Sequence, residues 1–232
     1  MKKMSPRNFF WSDGNAKMTK TAKLWEQRFG KAAKFVSFNI PQLQSKTGQR
    51  TCPYAGDCAD ICYASQGRMA FAAAKEARER NLAHINKLSE PRLVAQLVAD
   101  IDRMRKTTHI RIHDSGDFFK RSYYRAWVKV AEECPDTVFY AYTKSIPMLD
   151  FDTHPENFRV IQSLGGKRDK DIDMERPHAR IFASIAERKR ARYTDGNESD
   201  IPAVLGYKKI GLVYHGVRGL TDKNLVQIRA MA

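Results

Sequence analysis

The chain has 232 residues, 42% of them hydrophobic, and carries 41 Lys+Arg against 26 Asp+Glu for a net charge of +15. This length and apolar content fit one globular domain with a sizeable core and exclude a disordered chain. No run of about 18 apolar residues occurs, and no apolar stretch follows the opening Met-Lys-Lys, so hydropathy predicts neither a membrane span nor a signal peptide.

In chain order, residues 1–33 read as a basic N-terminal arm packed on the rest, with eight Lys/Arg and two acids. Phe9, Phe10 and Trp11 form an apolar island. Trp25 and Phe29, four apart, predict a short helix over 21–29 stopped by Gly30. Residues 34–232 then read as a single α/β domain. The alternating, β-rich stretch 34–40 predicts the first strand, ended by Pro41. Residues 68–88 and 91–106 read as helices, the second with Leu93, Val94, Leu97, Val98, Ile101 and Met104 on one face. Strands follow at 108–113, 137–143, 158–163, 179–185 and 209–214, with a helix over 122–133. Residues 145–157 hold two prolines and allow only a short helix, and 194–208 reads as an exposed loop. Six such strands with right-handed crossovers predict an α/β fold, either a sheet wound both ways or a partial (βα)6 TIM-like barrel. Polar groups after nearly every strand favour the partial barrel, because βα barrels collect their chemistry there.

Three of the four cysteines stand together as Cys52-x5-Cys58-x3-Cys62. A secreted disulfide framework spreads an even set through a short chain; few, bunched cysteines fit a reducing cytoplasm. Bunched thiolates suit soft metal sites: iron–sulfur clusters, zinc or Cu(I). Pro53 and Gly56 let the first gap loop back, and the second gap matches one helical turn. Closed structural zinc takes four ligands, often in C-x2-C pairs that are lacking here. Three cysteines can instead hold a 4Fe–4S cluster with one iron open. Zinc remains the alternative metal, and three metal-free cysteines the reading without one. Cys134 ends a helix at the opposite end of the strands and continues an apolar face, so it reads as structural.

The cysteine loop follows the first strand and therefore shares one mouth with residues after later strands. Those are His113, Asp114, Ser115, Asp117, Thr143, Lys144, Ser163, Gly165, Gly166, Ser184 and His215. His109 and His113 lie on one strand, more than about 12 Å apart at roughly 3.3 Å per residue, and cannot share an ion. His113 either holds the Asp-Ser-Gly-Asp turn or faces a ligand; Asp114 and Asp117 serve as acid and base or as caps. Lys144 is an anion contact or a solvated lysine. Gly165-Gly166 is a weak phosphate cradle. The run Arg188-Lys189-Arg190-Ala191-Arg192 is a solvated face or a phosphate contact. The net charge fits nucleic acid or a phosphorylated ligand as partner, or a generally basic surface. No protein partner or catalytic residue is legible.

Several motifs in order resemble the phage gene product 88-like family: Gly14-Asn-Ala-Lys-Met-Thr-Lys, the three cysteines with Tyr63-Ala64, Arg111-Ile-His-Asp-Ser-Gly-Asp-Phe-Phe, Tyr123 with Trp127, and Phe139-Tyr-Ala-Tyr-Thr-Lys-Ser. The resemblance covers about residues 14–165. It implies a phage protein acting in the cytoplasm of an infected bacterium, with a cluster on Cys52, Cys58 and Cys62, and no established reaction. More distantly, a cluster loop after the first strand is similar to radical S-adenosylmethionine enzymes. The spacing departs from their C-x3-C-x2-C, and no Gly-Gly-Glu follows the second strand, which argues against bound S-adenosylmethionine. The sequence thus predicts an iron–sulfur protein, with a redox or radical enzyme as one form of that reading. The alternative is a non-enzymatic, basic nucleic-acid-binding or regulatory protein with a structural cluster or zinc.

Overall fold

The structure is a computed structural model that describes residues 7–13, 15–214 and 228. Among these, eight strands form one mixed sheet in the order β1-β2-β3-β4-β5-β6-β8-β7. The strands are β1 (Trp11–Ser12), β2 (Phe35–Phe38), β3 (His109–Ile112), β4 (Val138–Thr143), β5 (Phe158–Ser163), β6 (His178–Phe182), β7 (Thr194–Asp195) and β8 (Lys209–Val213). β1 runs antiparallel to β2, and every other pairing is parallel. The sheet is open, with β1 and β7 at its edges. From β2 to β6 the order follows the chain without reversal, which removes the sheet wound both ways, since that arrangement reverses at a switch point. The fold is mixed α/β, with no barrel closure among the described strands.

The helices are α1 (Ala16–Phe29), α2 (Ala72–Ile85), α3 (Glu90–Arg103), α4 (Arg121–Glu133), α5 (Ile185–Arg190) and α6 (Ile201–Val204). The connections from β4 to β5 and from β5 to β6 carry only 3-10 turns, so the βα cycle is less regular than the sequence reading expects. The helix expected over 68–88 is divided. A 3-10 turn, Gly67–Ala70, precedes extended Phe71, and α2 begins after it.

Side chains alternate across the strands, and the two faces of the sheet are covered differently. Val36, Phe38, Ile110, Ile112, Phe139 and Ala141 join the apolar faces of α3 and α4 in the larger core, with Trp127 fully buried. On the other face, Phe35, Tyr140, Ile161, Ala179 and Ile210 meet Met18 of α1 with Ala203 and Val204 of α6. The helix expected to begin at 21 therefore begins five residues earlier and lies on this inner face. Asn15 caps it, its Oδ1 accepting from Lys17 N at 2.9 Å, and Gly30 ends it at φ 65°. The stretch 194–208 is not an exposed loop: Asp200 through Val204 are buried and cover the same face. The Arg188–Arg192 run is not a uniform solvated face either. Arg188 is buried under the sheet, donating to Tyr193 O at 3.0 Å and pairing with Asp195 at 3.2 Å.

Candidate functional site

The inner face holds a cavity of about 180 Å³ at the C-terminal ends of the strands. Its wall includes Cys52, Cys58, Cys62, His113, Asp114, Ser115, Asp117, Lys144 and Ser163. Of the other residues expected at the mouth, Thr143, Gly165, Gly166 and Ser184 are not in this lining, Ser184 instead capping α5, and His215 lies outside the described residues. Cys134 is buried at the end of α4, away from this lining. Burial lifts its thiol to about 11, and Asp102 and Glu133 add to the shift.

The cysteine loop is held by backbone bonds. Thr51 N and Cys52 N both donate to Leu43 O, and Leu43 N donates back to Cys52 Sγ at 3.3 Å. Ala55 then pairs with Gly166, Lys167 N donates to Tyr54 O at 2.9 Å, and Cys58 N donates to Gly165 O at 3.5 Å. A Cβ on Gly56 would stand 2.9 Å from Gly165 O, so only glycine lets the two strips of backbone approach this closely. The helical turn expected to join Cys58 to Cys62 is shorter than that. A 3-10 turn over Asp57–Ala59 carries Cys58, and Cys62 lies beyond it in non-helical backbone.

The Asp-Ser-Gly-Asp turn is docked on the end of β2. Asn39 Oδ1 accepts from Asp114 N at 2.6 Å and Ser115 N at 3.1 Å. Ser115 Oγ donates to Ile40 O at 2.9 Å and accepts from buried Arg78 at 2.8 Å, so Ser115 serves the turn. Gly116, at φ 88°, packs where a Cβ would strike Ile40. Asp117 accepts from Phe118 N at 2.7 Å, Lys144 N at 2.9 Å and the Thr143 hydroxyl. Burial raises its carboxyl above the ordinary value, and these three donors oppose that. His113 Nε2 meets the Tyr123 hydroxyl at 2.8 Å. Burial, helped by Arg111, lowers His113 to about 3, so the ring is neutral. His109 faces elsewhere, stacked on Phe35 at 4.3 Å.

Beneath the cavity lies an ionic network that sequence reading missed. Arg111 pairs with Asp114 and Asp200, each at 3.1 Å, and Lys17 pairs with Asp200 at 2.6 Å. Tyr140 donates to Asp200 at 3.0 Å, and Asn15 Nδ2 donates to Asp114 at 2.9 Å. Tyr63 donates its hydroxyl to Asp114 O. Burial pushes Asp200 up, but Arg111 and Lys17 outweigh it and hold the carboxyl at about 2. One signal for Asp200 was present in the sequence: an Asp before Ile-Pro and two further apolar residues is a helix start.

Gly165-Gly166 does form an anion-binding pair of amides, but the chain fills it itself. Gly165 N and Gly166 N donate to the Asp169 carboxylate at 2.7 and 2.8 Å. Lys144 Nζ donates to Ser163 Oγ at 2.7 Å.

The donor chemistry facing the cavity is three soft sulfurs, one of them already accepting a backbone N–H. Burial is the main effect raising the thiols of Cys52 and Cys58; Asp117 adds to it at Cys52, while Lys144 opposes it at Cys58. Buried thiols of this kind lose their protons to a bound cation, as metal ligands do. Among the described residues, no three His, Cys, Asp or Glu side chains are grouped to hold one metal ion.

The chain matches the family described as Gene product 88 over residues 9–223. It is 36% identical over 104 residues to the Gene 88 protein of Mycobacterium phage L5, covering 40% of this chain and 43% of that one. It is 31% identical over 140 residues to the Gene 88 protein of Mycobacterium phage D29, covering 50% and 58%. The aligned stretches span about half the length of these relatives. No solved structure matches. No helix among the described residues is long and apolar enough to cross a membrane. With nearly all of its length inside the family match, and with bacteriophage relatives, the chain belongs to the gene product 88 family.

Proposed function

We propose that this protein binds a 4Fe–4S cluster through Cys52, Cys58 and Cys62, at the mouth of an incomplete βα barrel, in the cytoplasm of the infected host. One observation carries the reading: three cysteines from a single loop line one cavity with His113, Asp117 and Lys144. Soft sulfur donors favour such a cluster. A cluster is preferred to zinc because closed structural zinc takes four ligands, often in C-x2-C pairs, whereas three cysteines can hold a 4Fe–4S cluster with one iron open. An incomplete barrel is supported by parallel strands that follow one another in chain order. The host cytoplasm is supported by free thiols, which persist in reducing compartments, and by the phage relatives.

A bound cluster supplies one-electron transfer. The chain's own part is to hold the loop by its backbone, to keep a neutral His113 at the wall, and to place Asp117 and Lys144 beside the sulfurs. Protein purified without air should be brown and carry about four irons and four sulfides per chain. Colourless protein with one zinc, or with no metal, would end this reading.

The net charge of +15 supports a second role, contact with nucleic acid. Binding to DNA or RNA should then fall steeply with salt as counterions are released. Absent or salt-insensitive binding removes that role.

A further inference from the structure

We propose that the same cavity takes a small carboxylate, held by Lys144 and Tyr142, with its apolar body lying against Ile181 and Leu212. This extends the reading of the cavity as the functional site to a class of ligand.

Most charges around the cavity are already committed. Arg111 is shared between Asp114 and Asp200. Asp117 is filled by two backbone amides and a hydroxyl. His113 is neutral and bonded to Tyr123. Three groups are left. Arg180 lines the cavity, forms no ion pair among the described residues, and leaves its Nε buried without a hydrogen-bond partner while its guanidinium lies over the Phe182 ring. The Lys144 ammonium has three donor hydrogens and meets only the Ser163 hydroxyl; it forms no ion pair among the described residues, though Asp117 senses its charge. Tyr142 lines the cavity, and its hydroxyl is buried with no hydrogen-bond partner. Buried polar atoms without partners are uncommon and point to a missing one.

Tyr142 and Lys144 are two apart at the end of β4, so both side chains leave the same face. Lys144 is also held in place. A Cβ on Gly166 would stand 3.1 Å from its Cβ and 3.3 Å from its Cγ, so the glycine turn packs on the lysine stem. An ammonium, a hydroxyl and an unsatisfied phenol on one wall make a receptor for an oxyanion.

The choice of carboxylate over phosphate follows from the glycines. The amide pair that would cradle a phosphate is filled by Asp169. Ile61, Ile181 and Leu212 provide apolar wall, and the 180 Å³ volume, shared with the group proposed on the cysteines, limits the body to a short chain or a single ring.

The test is calorimetric titration of anaerobically purified protein of measured iron content, at fixed ionic strength. The ligands are acetate, butyrate and benzoate, with benzamide and inorganic phosphate as controls. At least one carboxylate should bind with a Kd below about 1 mM. Lys144→Met should weaken it about tenfold and Tyr142→Phe several-fold, Lys144→Arg should restore most of the affinity, and both controls should bind at least about tenfold more weakly. Melting curves establish that each variant is folded. The proposal is overturned if no carboxylate binds the folded protein, if Lys144→Met binds equally well, or if benzamide or phosphate binds as tightly. Carboxylate binding in protein that never holds iron would sink the cluster and keep this ligand. Four irons with no carboxylate binding would do the reverse.

Discussion

Across β2, β3 and β4, one face of the sheet presents Val36, Phe38, Ile110, Ile112, Phe139 and Ala141, while the other presents Ser37, Arg111, Tyr140 and Tyr142. The first face is closed by α3 and α4, whose apolar stripes have no other role. The second is closed by α1, α6 and the cysteine loop, and its centre is ionic. On the outer face stability depends on volume. On the inner face it depends on every buried charge keeping its partner, because an unpaired buried charge costs more than a lost contact.

Asp200→Asn breaks this comparison open most sharply. The side chain keeps its shape, but Lys17 loses its partner and Arg111 keeps only Asp114. Denaturant unfolding should show a loss of about 3–5 kcal/mol. A methylene removed from the outer face, as in Ile110→Val, should cost only about 0.5–1.5 kcal/mol. Equal losses from the two would mean that the inner network contributes no more than its packing. The pH dependence has a definite sign. The Asp200 carboxyl is depressed to about 2 in the folded chain, against about 3.9 unfolded. Its contribution is therefore complete above pH ~4 and lost as pH falls towards 2.

His109 sharpens the comparison from the other direction, as a titratable group placed on an aromatic wall. It stacks on Phe35 and lies 4.6 Å from the Trp25 ring. Burial lowers it to about 4, so the unfolded chain, at about 6.5, binds the extra proton first. Stability is lost as pH falls from about 6.5 to 4, on the order of 3 kcal/mol from this residue. His154 and His113, at about 4 and 3, act with the same sign. His109→Phe should make the slope of unfolding free energy against pH shallower without flattening it. An unchanged slope would show that His109 titrates normally in the fold.

The outer face was legible because it is periodic. The 3.6-residue pattern of residues 91–106 and the alternation in 34–40 and 137–143 give the helix and strands within a few residues. The inner network was not, because its members stand far apart in sequence: Lys17, Arg111, Asp114 and Asp200 meet only once the sheet has formed. Low-complexity cues misled at 194–208, where Gly, Asn, Ser and Pro suggest solvent but Asp200 starts a buried helix. The gathering of the mouth residues was legible by a single rule, that loops after parallel strands share one end of the sheet. What each does there was not. Ser115 supports a turn, and the glycine pair binds the chain's own Asp169.

Gly56→Ala tests whether the loop is set by backbone approach. Its new methyl would press on Gly165 O and the Gly166 backbone, neither of which has a flexible end to move. The loop should shift at a cost of about 1–3 kcal/mol, typical of overpacking, and iron retained after gel filtration should fall. Full iron retention would mean that the cysteines do not depend on this contact.

Cys134→Ser should have the smallest effect. Cys134 lies where α4 ends, its amide donating to Val130 O at 3.0 Å and its carbonyl accepting from Asn157 at 3.0 Å. Those bonds are made by backbone and survive the substitution. The sulfur itself is a small, mostly buried apolar group on the helix face that also carries Tyr123, Trp127 and Val130. A hydroxyl there costs about 1 kcal/mol for its partial desolvation, while iron content should match the unmodified chain. Cys58→Ser, the same replacement of one sulfur by oxygen, should abolish iron binding with little effect on unfolding. If iron instead followed Cys134, a sulfur at the end of α4 would have to reach a cavity walled by the ends of the strands, and the division of labour between the two faces would not hold.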